Sequence, residues 1–395
     1  MKKSKSLFLV LGILFISFNL RAPITAVGSV VKMIQEEYAL GSAAAGFITT
    51  LPLIAFAIVS PFVSTLANKL GQANTMFTGL ILILIGEAIR SYTGVYGLFA
   101  GTAIIGIGIA IGNVIVPGII KRYFSHRAGL ITSIYTSGMC IFAAIGAGVS
   151  IPLATGLGLG WQNTLCVWFI LTSLTIFIWL PQLFMLKKRH SDRNIEHDHK
   201  SVWTSPLAWW VTLFMGVQSL LFYSLVAWLT TIIISRGLSQ SFASSMALLF
   251  QLMAIPATLV IPTLCDKFKD QRILSVCVAA IYAIGMILFI FAASPVLMTI
   301  SVILLSIGMG GSISLSIAFI SLRSPNSHTA AELSGMSQSA GYLLAAIGPV
   351  ITGFIFDMTS SWTIPIILFI GLIVILAICG IFAGKGLIHH KHHSN

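Results

Sequence analysis

Charge is what this chain has least of. Charged residues fill 8% of its 395 positions, against about 25% in soluble globular domains. Acids are scarcest, ten aspartates and glutamates in all. Once the apolar runs are set aside, nothing long enough for a water-soluble domain remains. Catalytic groups are missing too. No paired acids and no histidine fall inside an apolar run, and no zinc-protease motif occurs. An intramembrane enzyme would lack both a nucleophile–base pair and a metal set. The cysteines (Cys140, Cys166, Cys265, Cys277 and Cys379) are scattered in or beside apolar runs, without metal or redox spacing. The histidines of the 187–205 segment and of the tail from His389 to His393 read as solvated chain. No metal and no cofactor is expected.

What is abundant is apolar sequence. Twelve runs are long enough to span a bilayer: about 7–31, 43–66, 74–92, 97–120, 128–151, 162–186, 207–234, 242–264, 272–293, 296–321, 330–355 and 362–384. The expected fold class is all-α, a polytopic membrane protein of twelve transmembrane helices in two six-helix bundles. The net charge of +12 would suggest nucleic acid in a soluble chain. Here orientation accounts for it. With the N-terminus in the cytoplasm, 18 of the 22 Lys and Arg residues fall on the cytoplasmic side and 3 outside, as the positive-inside rule requires. Arg21 falls within the membrane. The expected location is therefore a bacterial cytoplasmic membrane, with both termini inside, the bilayer as partner and no nucleic acid. The basic start followed by an apolar run without a small-residue cleavage site reads as a retained first helix.

The first run carries Asn19-Leu20-Arg21-Ala22-Pro23 in its middle. A charge at that depth costs at least about 2.5 kcal/mol. Pro23 has no N–H to give the carbonyl of Asn19. One turn thus collects a guanidinium, an amide and a free carbonyl. Such a turn belongs against a cavity or against another helix. Arg21 is accordingly either a substrate or gating residue or a clamp on another helix's C-terminal carbonyls.

The chain repeats itself. Gly138-Met139-Cys140-Ile141-Phe142-Ala143-Ala144-Ile145-Gly146 aligns with Ala340-Gly341-Tyr342-Leu343-Leu344-Ala345-Ala346-Ile347-Gly348 at an offset of 202, and Trp161 with Trp362 at 201. Two parallel halves are the plan of major-facilitator transporters, with a midplane site between them. The divisions expected are a bundle over 1–186, a cytoplasmic linker over 187–205, and a second bundle with a short tail over 206–395.

The loop Asn68-Lys69-Leu70-Gly71-Gln72 looks like a weakened form of the major-facilitator loop motif, and Asp266-Lys267 keeps its acid and base in the second half. Four further stretches resemble the cyanate and 2-nitroimidazole transporter family of that superfamily. They are Asn19-Leu20-Arg21 with Pro23; Gly112-Asn113-Val114 with Pro117, Lys121-Arg122, Arg127 and Tyr135; Gln218-Ser219-Leu220-Leu221-Phe222-Tyr223 with Trp228-Leu229; and Gly310-Gly311-Ser312, Leu322-Arg323-Ser324, Gln338 and Gly341-Tyr342-Leu343. Their order covers nearly the whole chain. The resemblance implies a secondary transporter of a small polar or anionic solute working by alternating access.

Polar groups on cavity-facing helices are the candidates for substrate contact: Asn19, Arg21, Asn113, Tyr135, Gln218, Phe222, Tyr223, Gln251, Gln338 and Tyr342. The amides donate or accept, the rings offer flat apolar walls, and Arg21 offers a planar fork for an anion. The glutamines have a plainer reading as bridges between helices, and Phe222 as packing. Lys69, Asp266, Lys267, Arg127, Arg323, Glu87 and Arg90 are the gating or structural candidates, with Glu87 and Arg90 read as an ion pair three residues apart in preference to a proton relay. A small anion such as cyanate is the leading substrate class and a neutral nitroheterocycle the alternative, with efflux among the directions open to it. A coupling proton or ion stays open, and a monomer is expected.

Overall fold

The computed structural model describes residues 3–40, 42–185 and 202–388, helical almost throughout and without a strand among them. In chain order the helices are α1 Lys3–Asn19, α2 Ala22–Tyr38, α3 Ser42–Leu70, α4 Gln72–Tyr92, α5 Gly94–Tyr123, α6 Ala128–Ile151, α7 Gly160–Met185, α8 Pro206–Ser235, α9 Gln240–Leu252, α10 Ala254–Lys267, α11 Arg272–Phe291, α12 Pro295–Arg323, α13 Ser327–Thr359 and α14 Thr363–Ala383. They make twelve candidate spans, because α1 with α2, and α9 with α10, each form one. The expected linker lies outside the described residues as far as 201, with a single tight turn at Val202–Thr204. The histidine-rich tail from 389 also lies outside them.

The outer surface is apolar: Phe62, Phe184, Ile273 and Val296 are each about 70–80% exposed, a lipid-facing shell that water would not tolerate. Polar groups point inward instead. Ser301, Ser306, Ser312, Ser314, Ser316 and Ser321 of α12 are all buried, small residues that let helices approach closely in a membrane. The α4–α5 contact shows how close. A Cβ added at Gly101 would lie 2.6 Å from the carbonyl oxygen of Gly86, and one at Gly108 would lie 2.5 Å from that of Gly79.

Two spans are broken. The first run is expected as one helix from Leu7 to Val31, but the helix stops at Asn19 and restarts at Ala22, with Arg21 as the residue preceding the new helix and Pro23 in its first turn. The missing N–H of Pro23 is the physical reason. The eighth span breaks at Met253, just before Pro256, by the same rule. Nothing in the run itself marked that second break as more consequential than Pro52, Pro61 or Pro349, which sit inside continuous helices.

The face where α1 begins is also where α3, α5, α10 and α12 end on Lys69, Lys121-Arg122, Lys267 and Arg323; it is called the basic face below. Near it the first and last six spans are stitched together. Asp266 accepts from the backbone N–H groups of Gly129, at 2.8 Å, and Leu130, at 3.3 Å, at the start of α6, where a helix favours negative charge. Asn68 meets His328 at 2.9 Å. Ser133, Thr136 and Ser137 bond to Leu259 and Thr258, Ser334 to the carbonyl of Asn113, and Ser339 to that of Ala57. A further hydrogen bond between the two sets of spans is mid-depth, from Arg21 to Tyr223.

Candidate substrate site

The α1–α2 break puts Arg21 at mid-depth, partly exposed. Its Nη1 donates to the Tyr223 hydroxyl at 3.1 Å, and its guanidinium carbon lies 5.7 Å from the centre of the Phe222 ring, within cation–π range. The rings continue from there. Phe222 and Tyr223 meet edge-on at 4.9 Å between ring centres, Tyr223 and Tyr342 at 6.2 Å, and Tyr342 and Phe56 at 4.9 Å. Helices α8, α13 and α3 thus build an aromatic wall beside a cation from the first span. Tyr135 and Cys140 of α6 lie within electrostatic reach of the same guanidinium. Among the described residues no carboxylate pairs with Arg21.

The polar lining is partly unsatisfied. Tyr135 donates to Asn113 Oδ1 at 3.3 Å. Gln218 donates to Ser219 at 2.7 Å and to the Met215 sulfur at 3.2 Å. The Oε1 atoms of Gln218 and Gln338 are buried with no partner. A buried amide oxygen without a partner costs about 1–3 kcal/mol, a cost a bound donor would remove.

Of the expected site residues, Arg21, Phe222, Tyr223 and Tyr342 are brought together, with Asn113 and Tyr135 as a second group. Asn19 is not among them. Its amide faces α7, donating to Thr175 at 2.6 Å and to the Phe15 carbonyl at 2.8 Å, and accepting from Thr172 at 2.7 Å. It braces the end of α1, and its four-residue reach back to Phe15 replaces bonds the break removes. Gln251 sits half-buried one residue from the end of α9, with no hydrogen bond to the cluster among the described residues. Phe56, Cys140, Thr172 and Thr175 were not singled out by the sequence. Each matters only through a partner at least 80 positions away, and no local pattern records that.

The expected Glu87–Arg90 ion pair is absent. Both are fully buried, yet they make no contact within ion-pair distance. Arg90 Nη1 reaches across to α2 and donates to the Pro23 carbonyl at 2.6 Å. The Pro23 carbonyl lies in the first turn of α2 and takes this guanidinium as a donor from α4. Arg323 is structural: it bonds Gln271 and the Gly386 carbonyl, at 2.9 Å for the latter, and so ties α12 to α11 and to the segment after α14. Asp266 caps α6 as described. Lys69, Lys267 and Arg127 are exposed and form no ion pair among the described residues.

The model of the family described as "Major Facilitator Superfamily" matches residues 7–349. The chain belongs to the Major Facilitator Superfamily. It is 44% identical over 97% of its length to the uncharacterized transporter YycB of Bacillus subtilis, covering 95% of that protein. It is 40% identical over 95% of its length, and 95% of the relative's, to the 2-nitroimidazole transporter of Escherichia coli. The cyanate transport protein CynX of E. coli is 23% identical over 93% of this chain and 96% of its own. Among solved structures, the proton:xylose symporter XylE superposes with a TM-score of 0.80 over 98% of both chains at 14% identity, a likeness of fold. This member of the superfamily is therefore a multi-pass membrane transporter and not an enzyme.

Proposed function

We propose that this transporter carries a small planar organic anion, bound between Arg21 and the Phe222–Tyr223–Tyr342–Phe56 wall. The observation that carries the reading is Arg21 itself: a mid-depth guanidinium that meets a phenol and a ring and, among the described residues, no carboxylate. A charge kept in the membrane without a counter-ion is costly, and an anionic substrate supplies the counter-ion only when it binds. The relatives named for cyanate and for gentisate carry small anions by name. The aromatic wall sustains a second reading, a neutral nitroheterocycle, which the relative named for 2-nitroimidazole supports. The bundles over 1–186 and 206–395 rock about this site. With the basic face placed in the cytoplasm, the bonds of Asp266, Asn68 and Ser133 between the two sets of spans close the inner side, and the site opens outward in this state.

The test is thermal stabilisation of the purified protein by benzoate, cyanate and 2-nitroimidazole, because a ligand that binds only the folded state raises its stability by about 2.7 kcal/mol at a hundred times its Kd. Saturable stabilisation by an anion, lost in Arg21→Gln, is the expected result. Stabilisation by 2-nitroimidazole alone, kept in Arg21→Gln, overturns the anion reading in favour of the neutral one. Sidedness is checked by labelling Ser191→Cys and Glu36→Cys in a cysteine-free background. Position 36 should react from outside intact cells and position 191 should not.

A further inference from the structure

Glu87 is a buried acid that the substrate site does not use. It lies in the last turns of α4, fully buried, and neither carboxyl oxygen has a hydrogen-bond partner. An ionised carboxylate in that position would be an unpaired charge in an apolar interior, which proteins avoid by neutralising the group. Arg90, one turn on, is likewise fully buried, and its Nε and Nη2 are unpartnered. Its third nitrogen holds the Pro23 carbonyl, two residues from Arg21. Beside that bond lies a small cavity, lined by Pro23, Val27, Pro52, Arg90 and Thr102 among others, roomy enough for about one water.

We infer that Glu87 is a proton-binding site whose loss of its proton transfers Arg90 from the Pro23 carbonyl to the Glu87 carboxylate, releasing the break in the first span. This deepens the reading above by naming its coupling ion, and rests on that reading only for what is coupled. The balance is simple. The carboxyl O–H bond breaks, the proton leaves to water, and the electron pair stays on the carboxylate. Arg90 keeps its own proton throughout, so the buried pair changes from one net positive charge to none. A paired buried ion is far less costly than an isolated one, so the ionised acid pulls Arg90 toward it. The Pro23 carbonyl then loses its donor, and α2, which carries Arg21 at its start, is freed to pivot. Among the described residues, no second carboxylate and no histidine faces Glu87. On α4 there is Arg90; on α7 there are Thr172, already donating to Asn19, and the thiol of Cys166 beside Arg90; α5 meets Gly86 with Gly101 and Ile105.

Two readouts on the full chain need no substrate, so they stand or fall apart from the substrate class. Infrared difference spectra across about pH 5 to 9 should show a protonated, water-shielded carboxyl band that titrates, absent in Glu87→Gln and kept in Glu332→Gln. Spin labels at Glu36→Cys and Tyr96→Cys, in a cysteine-free background, should report a distance distribution that shifts with pH and freezes at its low-pH form in Glu87→Gln. A band that survives Glu87→Gln, or a pH shift in distance unchanged by it, overturns the proposal. Should Glu87→Gln not fold, absence of any titrating shielded carboxyl in the unsubstituted protein overturns it as well.

Discussion

Arg21 and Arg90 flank the same break in the first span and are opposite in every physical respect that matters. Arg21 precedes the new helix, is partly exposed, and meets a phenol and a ring. Arg90 is buried, donates to the Pro23 carbonyl and faces an acid it does not touch. An arginine left with open access and no acid is poised for a ligand. An arginine spent on a backbone carbonyl in the interior is a structural member, and an adjustable one if its neighbour can change charge. Burial and partner, not residue type, separate the two.

Substitution should separate them as well. The largest effect expected is on binding. Arg21→Gln should weaken a small carboxylate by about 2–5 kcal/mol, the cost of removing one partner of a desolvated charge pair, with the melting temperature little changed. Arg21→Lys keeps the charge but loses the fork, so binding should weaken without vanishing. Retained anion affinity in Arg21→Gln with a lowered melting temperature would make Arg21 a clamp like Arg90 and erase the contrast. Arg90→Leu should do the reverse. The Pro23 carbonyl keeps its place in α2 but loses its charged donor, at a cost of about 1.5–3 kcal/mol, read in thermal melting, while the surviving protein still binds. Asn19→Ala should cost stability of about the same size or less. Thr172 and Thr175 keep their own backbone bonds to Trp168 and Leu171, and Thr175 also reaches the Phe15 carbonyl at 3.5 Å, so little is left unpaired. Loss of anion binding in Asn19→Ala at unchanged stability would return this residue to the site.

The smallest effect sharpens a second contrast, at the basic face. The acid of the second half caps α6 through Asp266, while its counterpart in the first half is Asn68 against His328. Asp266→Ala should cost about 0.5–2 kcal/mol as the loss of a helix cap and should raise accessibility at the basic face. Asn68→Ala removes a neutral, exposed contact and should change melting by less. Equal effects from the two would mean that both stitches hold the closed state alike.

Much of the fold lay in plain sight along the chain. Twelve spans follow from run length alone, since a bilayer sets a minimum that nothing soluble needs. The break at Pro23 follows from one missing N–H. Arg21, Phe222, Tyr223 and Tyr342 were legible as a set because a cation or a cluster of rings in an apolar run is rare enough to be noticed. The direction of Asn19, by contrast, was not legible, since a residue next to a break has no fixed helical face. The partner of Arg90 was misread for a related reason. Spacing on one helix nominates Glu87, but the Pro23 carbonyl that Arg90 takes sits on another helix 67 positions away, and no pattern along α4 points to it.

What the sequence determined by itself is the class of molecule: composition and run length force the chain into a membrane, and Pro23 removes one helix bond beside a charge. What only the tertiary structure decided is which arginine is left open and which is spent. That choice depends on which carbonyls, rings and acids distant helices bring within about 3 Å, the range over which a hydrogen bond forms, and a linear pattern carries no such distance.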